Sequence, residues 1–153
     1  QGATSKGQNK IQFHDYNIAY NSVDTPNIRI FKEQITVLKD LLAEAGPDKA
    51  QSRDLDFMLI LGELFTLVPY GQLIIEMANA DGTPTEVLDT IFDFMVRDMS
   101  RYALQLYSKP SSTEEQQKFA MKMIRKPVVD QARVDKMLNE HVYALKDVYA
   151  MNA

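Results

Sequence analysis

The sequence predicts an all-α fold, an antiparallel bundle of four main helices with shorter ones between them. Three observations predict it. Apolar residues recur at spacings of three and four along most of the chain, no segment alternates with period two, and Pro or Gly marks the ends of the periodic runs. At 153 residues the chain suits one domain with a real core. The domain is expected over 25–153, preceded at 1–24 by a flexible or tag-like arm and an irregular lead-in.

Residues 1–10 are almost wholly polar and read as that arm. Ile11, Phe13, Tyr16, Ile18, Tyr20 and Val23 follow, as a short helix or an irregular packed segment. Thr25-Pro26 then starts a helix, a hydroxyl cap before a proline at the first helical position. Its stripe is Ile28, Phe31, Ile35, Leu38, Leu42 and Ala45, and Gly46-Pro47 stops it. The second helix opens near Ser52, runs to about Ala80 and ends at Asp81-Gly82. Between Leu59 and Ile75 it holds one formal charge, Glu63, so an apolar, central helix is expected around 55–80. Pro69 predicts a kink there. A membrane span is disfavoured, because Asp54, Asp56, Glu63, Gln72 and Glu76 punctuate the run and its far end has no basic anchor.

Thr83-Pro84-Thr85-Glu86 predicts the next start, with Thr83 and Glu86 forming a reciprocal capping box. Leu88, Ile91, Phe92, Met95, Met99, Tyr102 and Leu106 make its stripe, Asp89, Asp93, Arg97 and Arg101 its polar face, and Pro110 its end. Ser112-Thr113-Glu114-Glu115 reads as a second capping box and opens a short helix through Phe119, Met121 and Ile124. The last helix is expected from about Val128, with Val134, Met137, Leu138, His141, Val142, Leu145, Val148 and Tyr149 inward.

Composition excludes much chemistry. There are 17 Lys and Arg against 21 Asp and Glu, and a net charge of −4 gives no electrostatic attraction to nucleic acid. The absence of cysteine removes disulfides, thiolate nucleophiles and sulfur-ligated metals. The two histidines, His14 and His141, lie far apart, and no Glu-x-x-His pair exists for a di-iron site, so no metal is expected. His141 reads as a core-edge residue among Met137, Leu138 and Leu145. No GxGxxG, GxxxxGK or GxSxG motif occurs. Glu63 in its apolar run could be a base, but an ion pair with Arg97 or Arg101, or a solvent-facing position, is the plainer reading. Glu76 and Asp93 read as rim charges. Met95, Met99, Met121 and Met123 read as core filling, and Lys118, Lys122, Arg125 and Lys126 as a solvated face. No catalytic residue is assigned, and no cofactor-binding residue is identified.

Leu61-Gly-Glu-Leu-Phe-Thr-Leu-Val-Pro-Tyr-Gly-Gln-Leu-Ile-Ile-Glu76, Ile91-Phe-Asp-Phe-Met-Val-Arg-Asp98, Arg125-Lys-Pro-Val-Val-Asp130 and the Lys109-Pro-Ser-Ser-Thr113 connection form a recognisable group. Together they resemble the far C-terminal region of some bacterial acyl-CoA dehydrogenases, over roughly residues 27–153. That family uses FAD and an active-site glutamate to oxidise acyl-CoA thioesters in fatty acid metabolism, and some members carry an extra helical domain after the catalytic bundle. The flavin-contacting Trp motif, the glycine-rich arginine segment and the Tyr-Glu-Gly motif are missing here, and no functional residue transfers.

The resemblance implies a C-terminal helical domain with a packing or oligomerisation role in a cytoplasmic flavoprotein. It would have no cofactor of its own and would sit against the parent enzyme or a second subunit in a homo-oligomer. The first residue, Gln1 rather than Met, fits an excised piece. The rival expectation is a free-standing helical module that binds a partner helix or a hydrophobic ligand.

Overall fold

In the computed structural model, residues 15–146 and 148 are described. The expected features at 1–14, including Ile11, Phe13 and His14, lie outside them. The described chain forms α1 (Tyr16–Ser22), α2 (Pro26–Glu44), α3 (Leu55–Asp81), α4 (Thr85–Ser108), α5 (Glu114–Met123) and α6 (Gln131–Met137). A 3₁₀ turn at Gln51–Arg53 precedes α3, and a π-helical turn at Leu138–Val142 and a 3₁₀ turn at Tyr143–Leu145 follow α6. No strand occurs among the described residues, and the fold class is all-α, as the periodicity predicts.

Local chemistry sets the boundaries. Asp15 caps α1 by accepting from the Asn17 N–H at 2.9 Å. Pro26 occupies the first turn of α2, but Thr25 makes no capping bond. Asp54 caps α3 by accepting from the N–H groups of Asp56 and Phe57 at 3.1 and 3.2 Å. Gly82 ends that helix at φ 70°, in the left-handed region that favours glycine. α3 runs through Pro69 without interruption.

The capping box expected at the start of α4 does not form, because the Glu86 carboxylate is drawn instead to Lys136 of α6, 2.7 Å away. The box at the start of α5 does form, one residue later than expected: Thr113 pairs with Gln116. Ser112 meanwhile donates to the Leu106 carbonyl.

From α1 to α5 successive helices reverse direction, whereas α6 continues down α4 in the direction of α5, Arg125 meeting Ser100, Arg133 meeting Asp89 and Lys136 meeting Glu86. Lys109, just past the end of α4, pairs with Asp54 and Asp56 at the start of α3. Asn27 meets Asp89, and Gln34 meets Val96, so α2 and α4 run side by side in parallel. α4 packs against α2, α3, α5 and α6. The core gathers Ile28, Phe31 and Leu38 of α2, Phe57, Leu64 and Ile75 of α3, Phe92, Val96 and Met99 of α4, and Phe119 and Met123 of α5. α1 belongs to the same core. Tyr20 packs against the Phe31–Phe92 pair, with ring centroids 6.0 and 6.2 Å away. Its hydroxyl donates to the Val68 carbonyl at 2.7 Å. A Cβ at Gly71 would lie 2.3 Å from that hydroxyl oxygen, so glycine there lets α1 seat on α3.

Buried polar side chains fasten the non-helical connections. The Gln34 amide donates to the Met123 carbonyl at 2.8 Å and to Val96 at 3.2 Å. Gln51 and Gln116 bond to each other and reach the Ser111 and Ala45 carbonyls at 2.6 and 3.1 Å. Asn27 accepts from the Val128 N–H at 2.8 Å, while Asp89 accepts from the Asn27 N–H and pairs with Arg133. Asp89 is 1% exposed and Asp93 is buried, so the polar face expected on α4 turns inward at both positions.

The C-terminal helix departs from its expected form. It begins at Gln131 rather than Val128, and after Met137 it widens into the π turn. None of its described residues is buried. It is held to α4 by ion pairs, and of the expected inward stripe Val134, Met137 and Leu138 are half-buried while Val142, Leu145 and Val148 are exposed.

Candidate functional site

α3 is the apolar helix the sequence places around 55–80, and its burial is one-sided. Phe57, Ile60, Leu61, Leu64, Leu67, Gly71, Ile75 and Ala78 face the core. On the other side Leu55, Leu59, Tyr70, Leu73 and Met77 are 56–74% exposed. With Gly62 and Thr66, also exposed, they step by three and four and form one straight row. At about 1.5 Å per residue, that row is about 33 Å long. Met58 and Phe65 flank it and are exposed as well.

By length and composition α3 is the one helix among the described residues apolar enough to cross a membrane. Only 28% of its most apolar window is buried, whereas the core helix of a bundle buries most of such a window. The row is therefore surplus to this fold.

Beside Phe65 a groove of about 210 Å³ opens between α1, α2 and α3. Leu38, Leu42, Phe65, Val68 and Pro69 line it, and Lys39 stands at its rim with its ammonium 5.9 Å from the Tyr16 ring centre. The groove is apolar almost throughout, so it offers a ligand shape and desolvation but few hydrogen bonds.

The residues singled out from sequence scatter. Glu63 is exposed and pairs with neither Arg97 nor Arg101, which bind Asp93 at 2.5 Å and Asp98 at 3.2 Å. Glu76 is exposed and accepts from Gln72 at 2.8 Å. Asp93, expected at the rim, is buried because Arg97 folds over it. Met95, Met99 and Met123 fill the core, whereas Met121 is exposed beside the basic face of α5. On that face Lys122 lies 5.2 Å from the Phe119 ring centre and Arg125 pairs with Glu33 at 2.6 Å. Lys118 and Lys126 are exposed.

His141 sits at the bundle edge, 3.6 Å from Glu86. Glu86, Glu140 and His141 bring three ligand-type atoms within 4.8 Å of one another. The Lys136 ammonium stands among them, 2.7 Å from Glu86 and 4.0 Å from Glu140, and supplies the positive charge. It draws the Glu86 carboxyl down to about 2 from an ordinary 4.5.

Sequence reasoning missed the buried polar set of Asn27, Gln34, Gln51, Asp89 and Gln116. A signal existed for one of them: Gln34 follows Phe31 by three on the apolar stripe of α2, a polar residue on a buried track. No nucleophile, base and oxyanion donor converge among the described residues. What the arrangement offers is a long apolar face with a groove at its side. No protein-family model, curated protein or solved structure matches the chain.

Proposed function

We propose that the chain is a helical packing module whose outward α3 face is covered by protein in the working assembly, and that it contributes no catalytic residue of its own. The row from Leu55 to Met77 carries this reading. Apolar surface gains about 25 cal/mol per Å² on leaving water, and soluble monomers seldom expose contiguous apolar patches beyond a few hundred Å². The cover would be the body of a larger polypeptide if the chain is the C-terminal helical domain of an FAD-dependent acyl-CoA dehydrogenase-like flavoprotein, as the sequence strings suggest. In that case the flavin and the thioester chemistry reside in that body.

The test is a photo-crosslinking residue placed at Leu73, with a control at Lys118, in cells that make the protein. A protein adduct at position 73 alone, lost in a Leu59→Glu variant, is the expected result. Adducts in equal yield at both positions, or none at 73, would overturn the reading.

A second reading, capture of a small apolar ligand, draws on the groove beside Phe65. An environment-sensitive apolar dye should then bind in one-to-one ratio and be excluded by Leu42→Trp. Dye binding that is equally lost with Leu73→Glu and spared by Leu42→Trp would assign the site to the α3 row instead.

A further inference from the structure

We infer that the occupant of the α3 face is a basic amphipathic helix of a protein partner, crossing α3 at Gly62 and Thr66. This rests on the reading above and names the partner's chemistry. Three observations carry it.

The first is charge. From Asp54 to Val96 there is no Lys, Arg or His, and α3 itself carries Asp56, Glu63, Glu76 and Asp81. Lys109 pairs with Asp56. Among the described residues Glu63, Glu76 and Asp81 have no cationic partner. An apolar row whose charged neighbours along α3 are all acids complements an apolar stripe flanked by Lys or Arg, and like charge opposite it is penalised.

The second is Gly62. Glycine inside a helix is unfavourable relative to alanine. At Gly71 the fold requires it, because Tyr20 is too close for a Cβ. At Gly62 an added Cβ would meet nothing within 4 Å, so this chain's own packing gives no reason for glycine. Gly62 and Thr66 are the two small residues of a row otherwise built from Leu, Tyr and Met, and they make a saddle where a second helix can approach closely.

The third is length. A row of about 33 Å matches a partner helix of about 20 residues, which is more than a loop tip or a single side-chain anchor would cover.

The same observations disfavour the other occupants. An antiparallel two-fold pairing of α3 with a second copy, centred on Thr66, sets Glu76 opposite Asp56 of that copy. An anionic bilayer surface would likewise be repelled by Glu63 and Glu76.

The experiment uses the full chain and two synthetic 20-residue helical peptides. Both carry leucines at three–four spacing and alanine in the middle turn. One has lysines on its flanks and its twin has glutamates. Calorimetry at low salt should give the lysine peptide at least tenfold tighter binding than its twin, with the gap narrowing at high salt. The Glu63→Lys/Glu76→Lys double variant should reverse the preference. Gly62→Leu should weaken lysine-peptide binding at least tenfold with the helical circular-dichroism spectrum unchanged.

Equal affinity for the two peptides would overturn the inference. So would a sedimenting dimer that Leu73→Glu dissociates, which assigns the face to a second copy. Binding to phosphatidylglycerol-containing vesicles in preference to either peptide would assign it to a membrane. A position-73 protein adduct with no charge preference among the peptides would sink this inference and leave the broader reading standing.

Discussion

Single residues decide where this bundle holds. Asp89 is buried and receives the Asn27 N–H, the Asn27 side-chain amide and the Arg133 guanidinium. Asp89→Ala strands both partners in the interior. Breaking a buried, hydrogen-bonded pair in this way costs about 3–5 kcal/mol, which urea denaturation should register as a lowered midpoint with an unchanged slope. The two contrasted glycines of α3 should respond oppositely. Gly62→Ala adds helix propensity in open space and should stabilise the free chain by up to about 1 kcal/mol. Gly71→Ala drives a methyl into the Tyr20 hydroxyl and should destabilise it. Tyr20→Phe removes that hydroxyl together with its bond to the Val68 carbonyl. The double variant should therefore lose less than the sum of the two single losses, which a double-mutant cycle on thermal stability measures. Burial also holds the Tyr20 phenol well above its ordinary range, so it should stay neutral at a pH where a free phenol ionises, as ultraviolet difference titration of the protein against Tyr20→Phe would show.

At the scale of elements, the helices were largely legible and their partners were not. Thr25-Pro26, Asp81-Gly82 and Pro110 bound α2, α3 and α4 within a few residues, because a proline without an N–H and a glycine free at positive φ act locally. Which side of α3 is covered could not be read. A helix apolar all round has no preferred inner face until its neighbours choose one, and here Tyr20 and Met95, which lie against Gly71, mark the chosen side. The Thr83 capping box failed for a related reason: Glu86 found a cation from α6, far away in sequence. That distant pair has a measurable consequence. Glu86 has its carboxyl pKa lowered from 4.5 to about 2, with Lys136 as the main cause. A depressed carboxyl stabilises fully above its unfolded value and loses that contribution as the pH falls through the folded one. Docking of α6 should therefore weaken between about pH 4.5 and pH 2. Hydrogen exchange of the α6 amides should accelerate over that window beyond its intrinsic pH dependence, and Glu86→Gln should show fast exchange above it too.

For the whole molecule, one core spans α1 to α5, and the C-terminal segment is appended to it by ion pairs with only half-buried apolar side chains beside them. The expected division at residue 24 sets Ala19 and Tyr20 outside the bundle domain, yet both enter its core, because so short a helix has little periodicity to read. The buried amides were hidden for a different reason. Asn27, Gln51 and Gln116 look like surface residues until the carbonyls they serve are known, and those carbonyls come from connections that no pattern places. Removing residues 125–153 should leave α1–α5 folded but less stable, since Asn27 and Asp89 would lose Val128 and Arg133. Circular dichroism should show a folded bundle with a lower melting temperature. The Asn27–Val128 link also orders events during synthesis. Its two ends are 101 residues apart. At roughly 5–20 residues per second on the ribosome, Asn27 waits roughly 5–20 s for its last partner. Until Val128 emerges, the Asn27 side-chain NH2 is held by Asp89 but its oxygen has no donor, and a chaperone has that interval in which to bind.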